Sequence, residues 1–413
     1  MLRSPAAANR PVAIVSHTLP GDLNGQGVML DRLTAGTPEP GFVFIDTDRK
    51  AVPRAARSNW VACHPLPTPY ILRKLFRFKQ AQTRLYRALV HQRSQALASI
   101  VRRHDCQAIV ACTGGDLVDL PAAVEAGRLT GLPTYLYYFD DYRVQWEILG
   151  GRWWQKVTTR LRDLAEPEVL RRAHAVFVPN ETLADDVRTR TNTPVTIIRN
   201  PVDTAAYREL RSRFPRQPID RSRQLKIVYT GSVYAAQADC LRRLCDAIDL
   251  LAAEGISLQL HIHGPQPCLE TLSELPSDKI SFHPPVSNAE SAVIQVQADI
   301  LFLPLSFTCE FPALIRTSAP GKFGEYLASG TPVLVHAPPN SFPVTFVKQH
   351  ACATSCDVAD SQALASTIRS MLANPQACEA MRHAAIDVAE HFAHTLNRDR
   401  FTSVFRSRQA QAA

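Results

Sequence analysis

The sequence lacks long apolar runs and any dense cluster of cysteines. No uninterrupted apolar stretch approaches the roughly 18 residues that span a bilayer. The first apolar run, residues 12–15, is too short for the core of a signal peptide. The ten cysteines are scattered along 413 residues, whereas a secreted disulfide framework concentrates them in a short chain. These absences argue against a membrane-spanning protein or a disulfide scaffold, and we expect the chain to stay in the cytoplasm.

Metal and nicotinamide motifs are also missing. There is no CxxC pair, and the closest spacings, Cys240 with Cys245 and Cys352 with Cys356, have no second pair nearby to complete a tetrahedral zinc site. The first glycine-containing loop does not follow the GxGxxG pattern of a dinucleotide fingerprint. We therefore expect neither a bound metal nor a nicotinamide cofactor.

Acidic residues are absent between Asp48 and Asp105, in a chain whose net charge is +8. The thirteen basic residues of this stretch are Arg49, Lys50, Arg54, Arg57, Arg73, Lys74, Arg77, Lys79, Arg84, Arg87, Arg93, Arg102 and Arg103. The rest of the chain has more acidic than basic side chains. No recognition motif or aromatic platform accompanies the basic stretch, so a nucleic-acid partner is not predicted.

Residues 70–103 combine these basic side chains with apolar ones, and the pattern admits two interpretations. The apolar side chains are Leu72, Leu75, Phe76, Tyr86, Leu89 and Val90. A helix with one basic and one partly apolar side suits an anionic membrane surface, and it would place the protein peripherally on the inner face of the plasma membrane. The same pattern describes a helix that packs its apolar side into the core and exposes its basic side.

Short β-rich runs alternate with longer amphipathic stretches, which predicts α/β domains with parallel sheets. In the first half, strands are expected at 12–16, 42–46, 107–112, 134–138, 175–179 and 195–199. Residues 207–223 are polar and arginine-rich and are interpreted as a linker. The alternation then restarts at 225–230, 258–263, 280–283, 299–303, 332–336 and 351–356, and 361–408 is helical in pattern. Two similar domains are implied.

Ligands bind beyond the carboxyl ends of the strands in such sheets, so the following loops are the candidate sites. After the first strand come His17, Gly25 and Gly27, which suit a phosphate or sugar at a helix N-terminus or form an ordinary flexible loop. Gly114 and Asp116 follow another strand, as an acceptor site or a tight turn with a cap.

Two further carboxylates, Asp140 and Asp141, follow the strand predicted at 134–138. They are either catalytic, orienting or deprotonating an acceptor, or they cap a helix N-terminus.

The second half repeats this arrangement. Gly231 and Ser232 follow a strand and precede a helix, as in a phosphate cradle. His261 and His263 point to one face of their strand, and without a third ligand we interpret them as structural. Pro320 and Gly321 can begin a helix whose amides face an anion.

On that helix, Lys322 adds a point charge at the anion. Glu325, on the same face, can accept hydrogen bonds from a ribose, or it forms an exposed ion pair with Lys322.

The segment from Ser318 to Val333, Ser-x-Pro-x-Lys-x-x-Glu-Tyr-Leu-Ala-x-Gly-x-Pro-Val, resembles the donor-site motif of retaining GT-B glycosyltransferases of the family 4, or group 1, type. The stretch 225–232 is similar to the family's opening strand and glycine loop. Residues 280–286, 298–304 and 200–203 resemble its base-contacting strand, its Ala-Asp strand and its Asn-x-Val-Asp segment.

The resemblance implies an α/β GT-B fold, with two Rossmann-like domains facing a central cleft. Residues 1–205 would bind the acceptor, 206–390 the nucleotide-sugar, and 391–413 would form a helix packing back across the domains. Glu325 would bind the ribose, Lys322 and the amides near Gly231 and Gly321 the diphosphate, and the Val286 backbone the base. The remaining donor-binding candidates are Ser232, Gly264, Arg316, Ser318 and Pro320.

By this resemblance, donors fixed around the leaving diphosphate stabilise its charge, so no metal and no cofactor besides the nucleotide-sugar is expected. The acceptor would be a glycan or a lipid-linked molecule, with Asp140, Asp141 and Lys322 as catalytic residues.

The sequence departs from the family pattern in three places. Thr317 stands where the family has a glutamate, 232–237 lacks its basic residues, and Phe139-Asp140-Asp141 replaces its His-Asp. A nucleotide-sugar epimerase on the same fold, or a silent module that binds a glycan or a partner, therefore stays open as an alternative.

Overall fold

The computed structural model describes residues 10–22, 24–36, 40–48, 59–67, 82–145, 161–163, 165–265 and 279–412. The chain forms two compact units. The first unit comprises residues 1–199 and 395–413, and the second comprises 200–394. The sequence had suggested a boundary after residue 205 and a separate terminal segment from 391.

The first unit is built on a seven-stranded parallel sheet in the order β3-β2-β1-β4-β5-β6-β7. Its strands are β1 (Val12–Ser16), β2 (Phe42–Asp46), β3 (Trp60–Pro65), β4 (Ala108–Cys112), β5 (Thr134–Tyr137), β6 (Ala175–Val178) and β7 (Val195–Ile197). The described helices with defined bounds before residue 200 are α1 (Gly25–Thr34), α2 (Gln82–Arg103), α3 (Asp119–Thr130) and α4 (Glu181–Arg188), and residues 142–145 and 165–172 are helical as well. Strand β3, at the sheet edge, was not predicted from the sequence.

The second unit has a six-stranded parallel sheet in the order β10-β9-β8-β11-β12-β13. Its strands are β8 (Leu225–Thr230), β9 (Leu258–His263), β10 (Ile280–His283), β11 (Ile300–Pro304), β12 (Val333–His336) and β13 (Thr354–Cys356). Its helices are α5 (Thr204–Arg213), α6 (Ala235–Ala252), α7 (Asn288–Gln297), α8 (Pro312–Thr317), α9 (Gly321–Ser329), α10 (Phe342–His350), α11 (Ser361–Ala373) and α12 (Pro375–Ala389). The expectation of two Rossmann-like α/β domains is confirmed.

The predicted linker at 207–223 begins, in fact, with a helix. Asp203 caps α5 by accepting a hydrogen bond from the Ala206 amide at 3.0 Å, and Tyr207 is buried. The linker prediction was therefore wrong up to Arg213, because the many arginines of α5 masked a capped helix with one buried aromatic.

The last helix, α13 (His394–Ala412), returns the chain to the first sheet. The Phe405 ring meets Tyr135 edge-on with the ring centroids 5.3 Å apart, and the Phe401 ring lies 5.7 Å from that of Phe177. Buried Asn397 accepts a hydrogen bond from the Arg199 amide at 2.9 Å. The residues after 394 are therefore part of the first unit's core.

Helix α2 carries the described part of the basic stretch, and its apolar side is buried. Tyr86, Leu89 and Leu97 belong to the core of the first unit, while Arg84 and Arg87 are exposed. Residues 68–81, including Leu72, Leu75 and Phe76, lie outside the described residues. For α2 the core-facing interpretation holds, because its apolar side chains are already covered by protein and cannot enter a bilayer. Among the described helices, none is both long and apolar enough to cross a membrane.

Helix α9 packs tightly inside the second unit through Gly324. A Cβ atom at Gly324 would lie 2.8 Å from the Phe392 ring and 2.9 Å from a Val202 methyl group. Val202 itself pairs with the returning chain, donating its amide to the Phe392 carbonyl at 2.7 Å.

We predict that Gly324→Ala destabilises the second unit by about 1–2 kcal/mol, because overpacking exceeds the gain in helix propensity. Gly321→Ala is the matched control on the same helix, since its Cβ would meet no atom within 4 Å. Urea unfolding of both variants measures the effect, and equal stability of the two would contradict it.

Candidate active site

Two glycine loops meet at the carboxyl ends of β8 and β9. Gly231 has a φ of +119°, a backbone conformation that favours glycine. A Cβ atom at Gly264 would lie only 2.3 Å from the Gly231 carbonyl oxygen. The Gly231 amide donates to the His263 carbonyl at 2.7 Å. The two loops thus pack backbone to backbone, beside β11, where the strand order reverses and α/β proteins bind ligands.

Helix α9 begins beside this loop with its amides uncapped by any side chain. Pro320 is its N-cap residue and makes no side-chain capping hydrogen bond. The Phe323 amide donates to the Pro320 carbonyl at 2.9 Å, and the helix dipole adds partial positive charge at this end. A helix N-terminus of this kind favours an anion, which is the role that the sequence predicts for Pro320 and Gly321.

Lys322 reaches from α9 across to Gly231. Its ammonium donates a hydrogen bond to the Tyr229 hydroxyl at 2.7 Å and lies 4.1 Å from the Tyr229 ring centroid. The same Nζ atom would be 2.9 Å from a Cβ at Gly231, so it covers the glycine loop directly. Burial lowers the pKa of Lys322, while Tyr326 and Glu325 act in the opposite direction. The structure therefore brings Gly231, Gly264 and Lys322 together.

Glu325 lies one turn further along α9, half-buried, and its neighbour Tyr326 secures the helix to β8. The Tyr326 hydroxyl accepts a hydrogen bond from the Thr230 amide at 2.9 Å. Buried Gln295 donates to the Thr230 hydroxyl at 3.0 Å and accepts from Tyr207 at 2.5 Å. This network fixes the last residue of β8 immediately before Gly231, and no local sequence pattern pointed to Gln295.

The other predicted donor residues lie on further elements of the second unit. Arg316 is in the last turn of α8, and Ser318 follows that helix. Val286 precedes the capping box at the start of α7. The Ser232 carbonyl accepts a hydrogen bond from the Tyr229 hydroxyl at 2.7 Å. The Thr317 hydroxyl donates to the Ala313 carbonyl at 2.9 Å, so it closes its own helix.

A third histidine, His283, joins the two that the sequence singled out. His261 Nδ1 lies 3.0 Å from His283 Nε2. The rings of His263 and His283 stack at 4.2 Å between centroids and 10° between planes. Burial, followed by the other two histidines and Lys226, lowers the pKa of His263 to about 4. Across the described residues, no group of His, Cys, Asp or Glu has the geometry to hold a metal ion.

In the first unit, His17 and Gly114 lie against each other. A Cβ at Gly114 would be 2.4 Å from His17 Cε1, and Gly114 has a φ of +101°. Gln145 secures this loop, accepting from the Gly114 amide at 2.9 Å and donating to the Gly115 carbonyl at 2.8 Å. The Asp116 amide donates to Asp119 at 2.9 Å, which is the turn-and-cap alternative. Gln145 was missed because it comes from a separate element.

The glycines that begin α1 do not behave alike. The Asn24 side chain caps α1 and accepts from the Gly27 amide at 2.8 Å. A Cβ at Gly27 would lie 2.7 Å from the Asp22 carbonyl oxygen, whereas nothing lies within 4 Å of one at Gly25. The Gly27 amide is therefore already bonded to Asn24 inside the helix cap, and a phosphate or sugar at this helix N-terminus stays a prediction. The N-cap asparagine was the sequence signal for this outcome.

Asp140 and Asp141 have different surroundings. Buried Asp141 forms an ion pair with Arg190, with N–O distances of 3.1 and 3.2 Å, and accepts from the Arg143 amide at 3.0 Å. This is the N-cap alternative, and it commits the carboxylate to protein groups. Asp140 is half-buried, and burial, with a smaller contribution from Asp141, raises its pKa to about 6. Asp140 is the better candidate for chemistry.

Comparison with known proteins gives a family match over part of the chain and similar folds over nearly all of it. Residues 224–374 match the family model described as glycosyl transferases group 1. The fold is similar to that of α,α-trehalose 6-phosphate synthase from Burkholderia multivorans, with a TM-score of 0.70 and 11% identity over 98% of this chain and 100% of that one. The fold is also similar to that of sucrose-phosphate synthase from Thermosynechococcus elongatus, with a TM-score of 0.66 and 13% identity over 98% of this chain and 100% of that one.

The structure of HepE from Anabaena in complex with UDP gives a TM-score of 0.60 and 12% identity, covering 96% of this chain and 100% of that one. The sequence comparison with curated proteins gives no significant match. The chain has the GT-B fold. The family match covers residues 224–374, within the second unit, and supports a glycosyltransferase.

The histidine stack predicts an acid-sensitive second unit. Because the folded-state pKa of His263 is below the ordinary 6.5, the unfolded chain binds more protons between these values. The stabilising contribution is complete above about pH 6.5 and is lost as the pH falls toward about 4. We expect His263→Gln to lose less stability than the parent chain between pH 7 and pH 4.5. Thermal unfolding across this range measures it, and parallel curves would contradict the prediction.

Proposed function

We propose that this glycosyltransferase moves a sugar from a nucleotide-diphosphate sugar to a glycan or lipid-linked acceptor. The transfer retains the anomeric configuration and contributes to the synthesis of a cell-surface polysaccharide. The observation that carries the proposal is the Lys322 ammonium above Gly231, beside the uncapped N-terminus of α9. An ammonium, helix amides and a glycine loop at one point form a site for a diphosphate.

In this proposal the diphosphate binds between the Gly231 loop and the α9 N-terminus. Negative charge develops on the departing diphosphate, and donors already oriented toward it stabilise the transition state more than the ground state. Lys322 supplies the full positive charge, with Arg316 as a second cation. No metal ion takes part in this account.

The nucleoside extends from this point toward the edge of the sheet. Glu325 accepts hydrogen bonds from the two ribose hydroxyls, since its carboxylate is one turn from Lys322 and half-buried. The backbone near Val286, which follows β10, contacts the base. Gly264 allows the loop after β9 to pack against the Gly231 carbonyl, because it carries no side chain.

The first unit binds the acceptor through the loop of His17, Gly114 and Gln145. Asp140 stands at the end of β5, and with its pKa near 6 it is ionised at neutral pH. It therefore accepts a hydrogen bond or a proton from the attacking hydroxyl. Asp141 positions this loop through Arg190 and does not take part in the chemistry.

Glu325→Ala is predicted to weaken binding of the nucleotide diphosphate by roughly 10- to 100-fold, because hydrogen bonds to a charged group contribute about 1.5–3 kcal/mol. Glu254→Ala is the matched control, since Glu254 forms an exposed ion pair with Arg369 and is expected to bind like the parent chain. Calorimetric titration with uridine, adenosine and guanosine diphosphates measures both. Unchanged affinity in a folded Glu325 variant would contradict the ribose assignment.

Lys322→Ala is predicted to reduce turnover more than donor affinity, because its charge acts mainly on the leaving diphosphate. Equal losses of turnover and of donor affinity would indicate that Lys322 contributes to ground-state binding alone.

A donor-hydrolysis assay separates this enzyme from a silent module, which would bind the diphosphate without cleaving any donor, and from an epimerase, which would change the sugar.

The exposed arginines of α2 can still bind an anionic membrane surface by charge alone, without inserting apolar side chains. We expect salt-sensitive co-sedimentation with vesicles of anionic phospholipid and little with neutral ones, each basic side chain contributing about 1 kcal/mol. Replacing Arg84 and Arg87 by glutamate reduces this binding, whereas the same change at exposed Arg213 and Arg221 does not. Equal binding to both vesicle types at low salt would favour a soluble acceptor.

A further inference from the structure

We propose that Tyr229 is a positioning residue for the diphosphate subsite, holding the Lys322 ammonium over Gly231 by a hydrogen bond and by its ring. The inference rests on the proposed function, since it assigns a role within the donor site. It names a residue that donates nothing to the ligand itself and acts through Lys322.

The hydrogen-bond directions at Tyr229 are determined by its single hydroxyl proton. Tyr229 is 1% exposed, and its hydroxyl donates to the Ser232 carbonyl at 2.7 Å. Toward Lys322, also at 2.7 Å, the oxygen can therefore only accept. The ammonium uses one of its three N–H groups on this oxygen and keeps two for a phosphate.

The ring of Tyr229 adds a second constraint on the same ammonium. The Nζ atom is 4.1 Å from the ring centroid, within the range of a cation–π interaction. A lysine side chain has four rotatable bonds, and restraining its end from two directions removes much of the entropy that a ligand would otherwise have to fix. Lys322 is thus held above Gly231 before any donor arrives.

This arrangement makes up for the composition of the loop after β8. Residues 232–237, Ser-Val-Tyr-Ala-Ala-Gln, contain no basic side chain. The loop therefore supplies no positive charge, and that charge comes from α9. The Tyr229 hydroxyl joins the two parts, because it contacts the Ser232 carbonyl of the loop and the Lys322 ammonium of the helix.

The oxygen also favours the charged form of the lysine. Burial lowers the pKa of Lys322, and a hydrogen bond accepted from the ammonium opposes that effect. Without the hydroxyl, the amine is expected to lose its proton at a lower pH, and binding of a diphosphate should then fall earlier as the pH rises.

Tyr229→Phe keeps the ring and removes only the oxygen. The matched control is Tyr137→Phe, which removes a buried hydroxyl of the first unit that donates to Met29 Sδ. Calorimetric titration with uridine, adenosine and guanosine diphosphates is carried out from pH 7 to pH 10 on the parent chain and both variants. We expect Tyr229→Phe to bind roughly tenfold more weakly at pH 7 and to lose affinity at lower pH than the parent chain. The Tyr137 variant should keep the parent's pH profile.

A second measurement needs no nucleotide. In protein labelled with ¹³C at the lysine Cε position, the NMR signal missing from Lys322→Met reports the titration of Lys322. Its midpoint should move to lower pH in Tyr229→Phe and stay in place in Tyr137→Phe. An unmoved midpoint together with an unchanged binding profile overturns the role of Tyr229. A moved midpoint in a chain that binds no diphosphate supports the contact with Lys322 and overturns the proposed donor site instead.

Discussion

The backbone contact between Gly231 and Gly264 is the constraint on which the proposed donor site depends. A carbonyl oxygen 2.3 Å from where a Cβ would stand leaves no room for any side chain at residue 264. The contact brings the ends of β8 and β9 together, and it leaves the space above Gly231 to a single side chain from another element. Lys322 takes that space, and the uncapped N-terminus of α9 comes with it.

The elements behind this contact keep it in place through polar bonds in the core. Thr230 is tied to Tyr326 of α9 and to Gln295 of α7, and Tyr207 completes the series from α5. Every member is buried and has a partner, a condition under which a polar network makes one arrangement of the core specific. The position of Lys322 thus follows from the packing of four elements rather than from its own helix alone.

Much of this could be read from the sequence, and the failures have physical causes. Strand periodicity predicted twelve of the thirteen strands in the described residues, because buried parallel strands appear in a sequence as short runs of β-branched residues. Strand β3 (Trp60–Pro65) was not predicted because it lies half-exposed at the edge of the sheet and contains His64 and a proline. The sequence motifs pointed to Gly231, which follows a recognisable strand, and to Lys322 and Glu325, which are close together in the chain. Tyr229 and Gln145 act through contacts with distant segments, which no local pattern announces.

The central claim is that the second unit holds a nucleotide diphosphate at Lys322 and Gly231. The most direct measurement is a crystal structure of the protein with uridine diphosphate, or with whichever of the three diphosphates binds in titration. In that structure we expect phosphate oxygens within hydrogen-bond distance of Lys322 Nζ and of the first amides of α9, with the ribose at Glu325. A nucleotide bound elsewhere, or a bound nucleotide whose phosphates make no contact with Lys322, would show that this site is wrong.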